Sequence, residues 1–213
     1  MSLMDLLNKK DILPLESEAL HGRDEEVEVP SVHFVKGTPL KGPFADNLQI
    51  AVFGMGCFWG VERRFWELEG VFSTSAGYSG GFTKNPTYRE VCTGMTGHNE
   101  VVLVVYDPEL ISYESLLITF WEDHDPTQGM RQGNDQGTQY RSGIYYNTSE
   151  EKELIESTKN KYQLQLDLNG LGKITTEIKE LDHYFYAEHY HQQYLAKNPD
   201  GYCALAGTGV KIK

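Results

Sequence analysis

Between residues 48 and 147 the apolar residues follow an order of periods that restricts the fold more than any other feature of the chain. "LQIAVFG" is a short apolar strand, and "CFWGVERRFWELEG" then spaces Phe58, Val61, Phe65 and Leu68 as one face of a helix ending at Gly70. "VFSTSAGYSGG" reads as a strand running into a glycine turn, and "HNEVVLVVYD" as a buried strand stopped by Asp107-Pro108. "SYESLLITFWEDH" carries Leu116, Leu117, Phe120 and Trp121 on a helix face with Ser112 as N-cap, and "TQYRSGIYYN" supplies a further strand. Strand, helix, strand, strand, helix, strand is the split βαββαβ pattern, so the predicted fold is an α+β ferredoxin-like sandwich. Extra elements follow: a helix from the capping-box pair Thr148 and Glu151, a strand in "KITTEI" and a helix in "AEHYHQQYLAKNP" closed by Pro199.

The 213 residues thus divide into an N-terminal arm over 1–47, a catalytic α+β domain over 48–198 and a C-terminal tail over 199–213. The arm mixes charges with Pro14, Pro30, Pro39 and Pro43 and shows no sustained period, as expected of a segment that wraps a core or is partly disordered. The tail, "DGYCALAGTGVKIK", is glycine-rich and without apolar period, which predicts mobility.

Nineteen basic against thirty-one acidic residues give a formal charge of -12, which repels phosphate backbones and anionic membranes. Neither nucleic acid nor a membrane is an expected partner. No apolar run reaches signal-peptide length at the N-terminus or the ~20 residues of a membrane span anywhere, so a cytoplasmic protein is expected, as a monomer. Cys57, Cys92 and Cys203 are too few and too scattered for a disulfide framework or a C-x-x-C zinc site. His183, His189 and His191 lie close in sequence but without metal-ligand spacing, and neither metal nor organic cofactor is expected. Gly54, Gly56 and Gly60 have the wrong spacing for a dinucleotide loop.

The chemistry concentrates around Cys57. A cysteine at a strand-to-helix junction meets unpaired backbone N–H groups and the positive end of the helix, which favour thiolate over thiol. Gly54 and Gly56 leave access to the sulfur, and Phe58 and Trp59 offer an aromatic wall for a weakly polar or sulfonium-like group. Glu100 opens an apolar strand, where loss of solvation raises a carboxyl pKa and keeps a proton available. Tyr88 lies in a polar turn, and Asp135 and Tyr140 in a glycine-flanked loop; phenols can donate to a developing oxyanion. Cys92 has no acid or base at a diagnostic spacing and reads as structural. Cys203, in "GYCALAGTG", has a flexible backbone that can carry its sulfur to a distant thiol.

Five motifs in order, "GCFWG" at 56–60, "NPTYREVC" at 85–92, "GHNEVV" at 97–102, "HDPTQGMRQGNDQGTQYRS" at 124–142 and "HQQYL" at 191–195, resemble the peptide-methionine sulfoxide reductases of the A type. The resemblance runs from about Leu48 to the tail and implies a ferredoxin-like sandwich with extensions, in agreement with the pattern above. It implies that Cys57 is the nucleophile, that Phe58 and Trp59 hold the substrate's S-methyl group, and that Glu100 is the acid. Tyr88 and Tyr140 match the hydrogen-bonding phenols, Asp135 a residue of the same pocket, and Cys203 the resolving cysteine. The implied reaction is reduction of methionine S-sulfoxide, free or in proteins, through a Cys57 sulfenic acid and a Cys57–Cys203 disulfide, with thioredoxin as the reductant. Related bacterial proteins often carry a further cysteine near the end; here "GVKIK" places Lys211 there, which implies a single resolving step. Two other readings of an activated cysteine stay open on the residues alone: a thiol peroxidase, and a redox-sensing binding module.

Overall fold

The computed structural model describes residues 11–213; the first ten residues of the expected arm lie outside the described residues. The strand, helix, strand, strand, helix, strand order is met by β1 (Gln49–Met55), α1 (Phe58–Trp66), β2 (Val71–Ser79), β3 (Asn99–Tyr106), α3 (Tyr113–Asp123) and β6 (Ser142–Tyr146). A one-turn helix α2 (Tyr88–Val91) stands before β3, and a small hairpin of β4 (Arg131–Gln132) and β5 (Asp135–Gln136) stands before β6. The longest helix, α4 (Ser149–Leu168), starts at the predicted N-cap, where Thr148 Oγ1 accepts from the Glu151 N–H.

The main sheet has the order β7-β6-β1-β3-β2-β8, with β7 (Glu177–Glu180) and β8 (Tyr184–Tyr186) added outside the four ferredoxin-like strands. β1 lies antiparallel between β3 and β6, β2 is antiparallel to β3, and β7 alone joins its neighbour in parallel. Alternation along the strands sends Ala51, Phe53, Met55, Val102, Val104 and Ile144 to the face covered by α1, α3 and α4, where they meet Val61, Phe65, Phe120, Trp121 and Ile155. The opposite residues, Val52, Val101, Leu103 and Val105, are buried too, under Phe44 of the arm, Leu181 and Tyr184. Burial of both faces explains why β3 reads as an unbroken apolar run.

Three segments differ from expectation, each because distant polar partners decide the local structure. The strand expected over 173–178 forms over Glu177–Glu180, since Ile174 N–H donates to Gln163 Oε1 and Thr175 N–H to the Pro126 carbonyl. The helix expected over 187–199 is reduced to α5 (Tyr194–Lys197). Ahead of it Gln192 spends its amide on both backbone groups of Ala76, and Gln193 adopts a left-handed φ of 48° that brings its N–H to Glu62 Oε2 at 2.7 Å. Glu62, on α1 and without exposure to solvent, also accepts from Gln193 Nε2 and Thr74 Oγ1, so the 187–193 segment is bolted to α1 and β2 rather than coiled. The far end of the tail is tied down: Thr208 Oγ1 bonds the Tyr162 hydroxyl, Ile212 N–H donates to Glu122 Oε1, and Lys211 pairs with Glu122.

Candidate active site

The N-terminus of α1, the start of β3, α2, the β4–β5 hairpin and the tail meet at the C-terminal end of β1. β1 stops at Met55, and Gly56 then takes a φ of +91°, a left-handed conformation that glycine reaches without strain; a Cβ there would come 2.6 Å from the Gln132 side chain. The turn sets Cys57 at the N-cap of α1.

Glu100 shares the helix-facing side of β3 with Val102 and Val104, is 1% exposed, and accepts the Phe58 N–H at 3.1 Å. One orphan donor of the helix start is therefore spent on the acid rather than on the sulfur. Burial raises the Glu100 carboxyl to about 8; the Phe58 N–H opposes that rise and the Asp135 charge adds to it. At neutral pH Glu100 is a protonated acid.

The Cys57 thiol is pushed well up from its ordinary value, by burial first and by a Glu100 charge second, while the Trp59 backbone N–H pulls it down. The helix start acts in the expected direction and is outweighed by loss of water. The expectation of a resting thiolate is thus corrected: the site at rest holds a neutral thiol beside a neutral acid.

Tyr88 opens α2, its N–H donating to Glu188 Oε1 at 2.8 Å. Tyr140 ends a 3-10 turn over Thr138–Tyr140, held by the next residue, Arg141, which is buried and reaches the Thr138 and Gly97 carbonyls and the Glu177 carboxylate. Both phenols are held protonated by burial and then by Glu100, whose charge each of them feels. Tyr88 also hydrogen-bonds the Cys92 side chain, which places that cysteine at the edge of the same cluster. Asp135, raised by burial, accepts from the Tyr202 hydroxyl at 3.3 Å. Cys203, on the next residue of the tail, is exposed; its Sγ accepts from Arg63 Nη2 at 3.3 Å. Cys57, Asp135, Gln132 and Leu205 line a small cavity between hairpin and tail.

The aromatic pair divides. Phe58 is buried against Tyr78 and His191, whereas Trp59 is half-buried and stacks on Tyr194, with ring centroids 3.9 Å apart and planes at 16°. Two residues not singled out for this site organise the wall. His191 Nδ1 accepts the Trp59 indole N–H at 3.0 Å, and its ring lies 4.5 Å from that of Tyr88. Burial lowers its pKa to about 4, so it is neutral, with its proton on Nε2, 3.9 Å from Glu188 Oε2. Glu188 in turn takes the Tyr88 N–H and the Tyr78 hydroxyl. The signal for both was the polar run "EHYHQQ" between apolar residues, which a helical reading spreads over several faces. His183 lies apart beside Asp182, and His124 is buried between the Phe120 carbonyl and Ser142 Oγ. Among the described residues no group of three or more His, Cys, Asp or Glu is placed to hold a metal ion.

The raised Glu100 carboxyl fixes a sign for stability against pH. The unfolded chain releases this proton near 4.5 and the folded chain keeps it to about 8, so stability falls as pH rises through that window and levels above it. Glu62, raised to about 7 by burial, acts in the same sense. Glu100→Gln should flatten the fall, seen as urea midpoints that change less between the two ends of the window than those of the parent. An equally steep fall in the variant would contradict the assignment.

A family described as peptide methionine sulfoxide reductase matches residues 49–211. A relative named peptide methionine sulfoxide reductase MsrA, from Pseudomonas syringae pv. tomato, is 60% identical over 206 residues, covering 97% of this chain and 96% of its own. One of the same name from Rhodospirillum centenum is 62% identical over 198 residues, covering 93% and 90%. Among solved structures, methionine sulfoxide reductase A of Corynebacterium diphtheriae superposes with a TM-score of 0.82 at 46% identity, over 90% of this chain and 93% of the other. With a fold, a thiol–acid pair and a full-length sequence match in agreement, the chain belongs to the peptide methionine sulfoxide reductase family.

Proposed function

We propose that this chain reduces methionine S-sulfoxide, free or in oxidised proteins, with Cys57 as nucleophile and Glu100 as general acid. The observation that carries the reading is the place of the Glu100 carboxyl, 1% exposed beneath the first turn of α1 and accepting the N–H next to Cys57, where burial raises its pKa. Trp59 offers its half-exposed ring to the S-methyl group, with Phe58 as backing, and Asp135 lines the small cavity beside Cys57. The Cys57 sulfur attacks the sulfoxide sulfur while Glu100 gives its proton to the oxygen and Tyr88 and Tyr140 donate to the charge gathering there. The thiol proton of Cys57 restores Glu100. The hydroxyl then passes to the Cys57 sulfur, breaking the S–O bond and the transient S–S bond; Cys57 becomes a sulfenic acid, two electrons pass from the cysteine to the substrate, and methionine leaves. A neutral resting thiol suits this exchange, because each proton has a defined origin and destination.

Cys203 then condenses with the sulfenic acid, releasing water and forming the Cys57–Cys203 disulfide. A dithiol reductant, thioredoxin as the family resemblance implies, opens that disulfide by exchange. We read the protein as a monomer, a state in which Cys57, Glu100 and Cys203 already supply the cycle up to that exchange. Three scattered cysteines without a disulfide framework suit a reducing compartment, and we place the protein in the cytoplasm. No helix among the described residues is long and apolar enough to cross a membrane.

The test is a single turnover of reduced protein with each sulfoxide epimer in turn. The S epimer should give one methionine per chain and the R epimer none in the same time. Equal yields from both would remove the chiral pocket from the account.

A further inference from the structure

α1 carries two adjacent arginines with different partners. Arg64 is paired with Asp123 at the end of α3, whereas Arg63 makes no ion pair among the described residues. Its Nη2 instead donates to the Cys203 sulfur at 3.3 Å. The sulfur stands over Gly60, one turn before Arg63 and one turn after Cys57, so close that a Cβ on Gly60 would lie 2.9 Å from Cys203 Sγ and 3.1 Å from Leu205 Cβ. Gly60 thus lets the tail descend onto the helix, and Arg63 holds the sulfur from the side. The seat opens on a cleft of about 230 Å³ lined also by Asp123, Leu205 and Gly207.

We propose that Arg63 is a positioning residue for the resolving step, an inference that rests on the roles of Cys57 and Cys203 given above. A sulfur on an untethered tail samples many positions, and holding it one helical turn from its target raises its effective concentration there. The guanidinium directs its donors in a fixed fork, so it selects the sulfur's place as well as its distance. In the step itself the Cys203 sulfur attacks the Cys57 sulfenic sulfur. The S–S bond forms, the S–OH bond breaks, and hydroxide leaves as water with the Cys203 proton. Cys203 is oxidised and the sulfenic sulfur reduced by the same electron pair. Arg63 Nη2 stays within reach of the Cys203 sulfur as that sulfur gives up its proton and attacks.

The experiment follows both half-reactions in one sample. Reduced full-length protein is mixed with methionine S-sulfoxide without reductant and quenched at intervals. Methionine is quantified, and the Cys57–Cys203 disulfide is quantified by mass. Arg63→Gln should form methionine at the parent's rate, which also reports an intact fold, but form the disulfide about three- to fivefold more slowly, the scale of an exposed bond to a charged group. Arg63→Lys should recover part of that loss. Disulfide formation at the parent's rate in Arg63→Gln overturns the inference and leaves Cys203 as resolver. Methionine formation slowed as much as disulfide formation overturns it as well, since Arg63 would then act on the whole site. A parent that makes methionine without any Cys57–Cys203 disulfide overturns the inference together with the reading beneath it.

Discussion

Replacing Glu100 by Gln should slow single-turnover methionine formation by about 10²- to 10⁴-fold, the range for loss of a general acid. Gln keeps the shape and can still accept the Phe58 N–H through its carbonyl oxygen, so the start of α1 has no reason to move. What it lacks is a proton to give. The sulfoxide oxygen must leave its sulfur as hydroxyl, and neither Tyr88 nor Tyr140 can replace the acid, because burial alone still holds both phenols above their ordinary pKa. The same substitution removes a buried ionisable group and should make the protein more resistant to alkaline loss of stability. A slow enzyme with a more stable fold is a combination that general damage does not produce. Below about pH 8 the parent's rate should not depend on Glu100 ionisation, and above it the rate should decline as the acid is lost; the Gln variant should lack that decline. A single-turnover rate in Glu100→Gln within a factor of a few of the parent's would take Glu100 out of the chemistry.

Cys203→Ser should stop turnover after one methionine per chain when thioredoxin is the reductant, a loss limited only by background reduction. The first half-reaction uses Cys57, Glu100 and the phenols, none of which the substitution touches. The sulfenic acid then has no partner. Cys92 is not a replacement, since it sits at the end of α2 with its side chain bonded to Tyr88, whereas Cys203 rests over Gly60 on the same helix that Cys57 caps. Steady turnover in Cys203→Ser would point to another resolving thiol or to direct reduction of the sulfenic acid.

Much of the fold was legible because it is written in periods. The strands β1, β3 and β6 and the helices α1, α3 and α4 each repeat an apolar spacing that needs no distant partner to be read, and Thr148 marks its helix start locally. The segment 187–193 was not legible for the opposite reason. Its conformation is set by Ala76, 116 residues before Gln192, and by Glu62, 131 residues before Gln193, and no window of sequence contains those partners. The site divides in the same way. Cys57 could be placed at a helix start and Glu100 at the mouth of a buried strand from neighbours alone. The protonation state of Cys57 could not, because the helix start is a local effect and the burial that outweighs it comes from the hairpin, the tail and β3 together. His191 was visible as a histidine, and only the fold shows that it accepts from Trp59 and carries the aromatic wall.

The central claim is that the Cys57 sulfur receives the oxygen. The most direct measurement is to treat reduced Cys203→Ser with methionine S-sulfoxide in the presence of a sulfenic-acid-specific carbon nucleophile, then map the adduct by peptide mass spectrometry beside a count of methionine formed. One adduct on Cys57 for each methionine is the predicted result. Methionine formed in full with the adduct on Cys92, or with no cysteine labelled, would contradict the account.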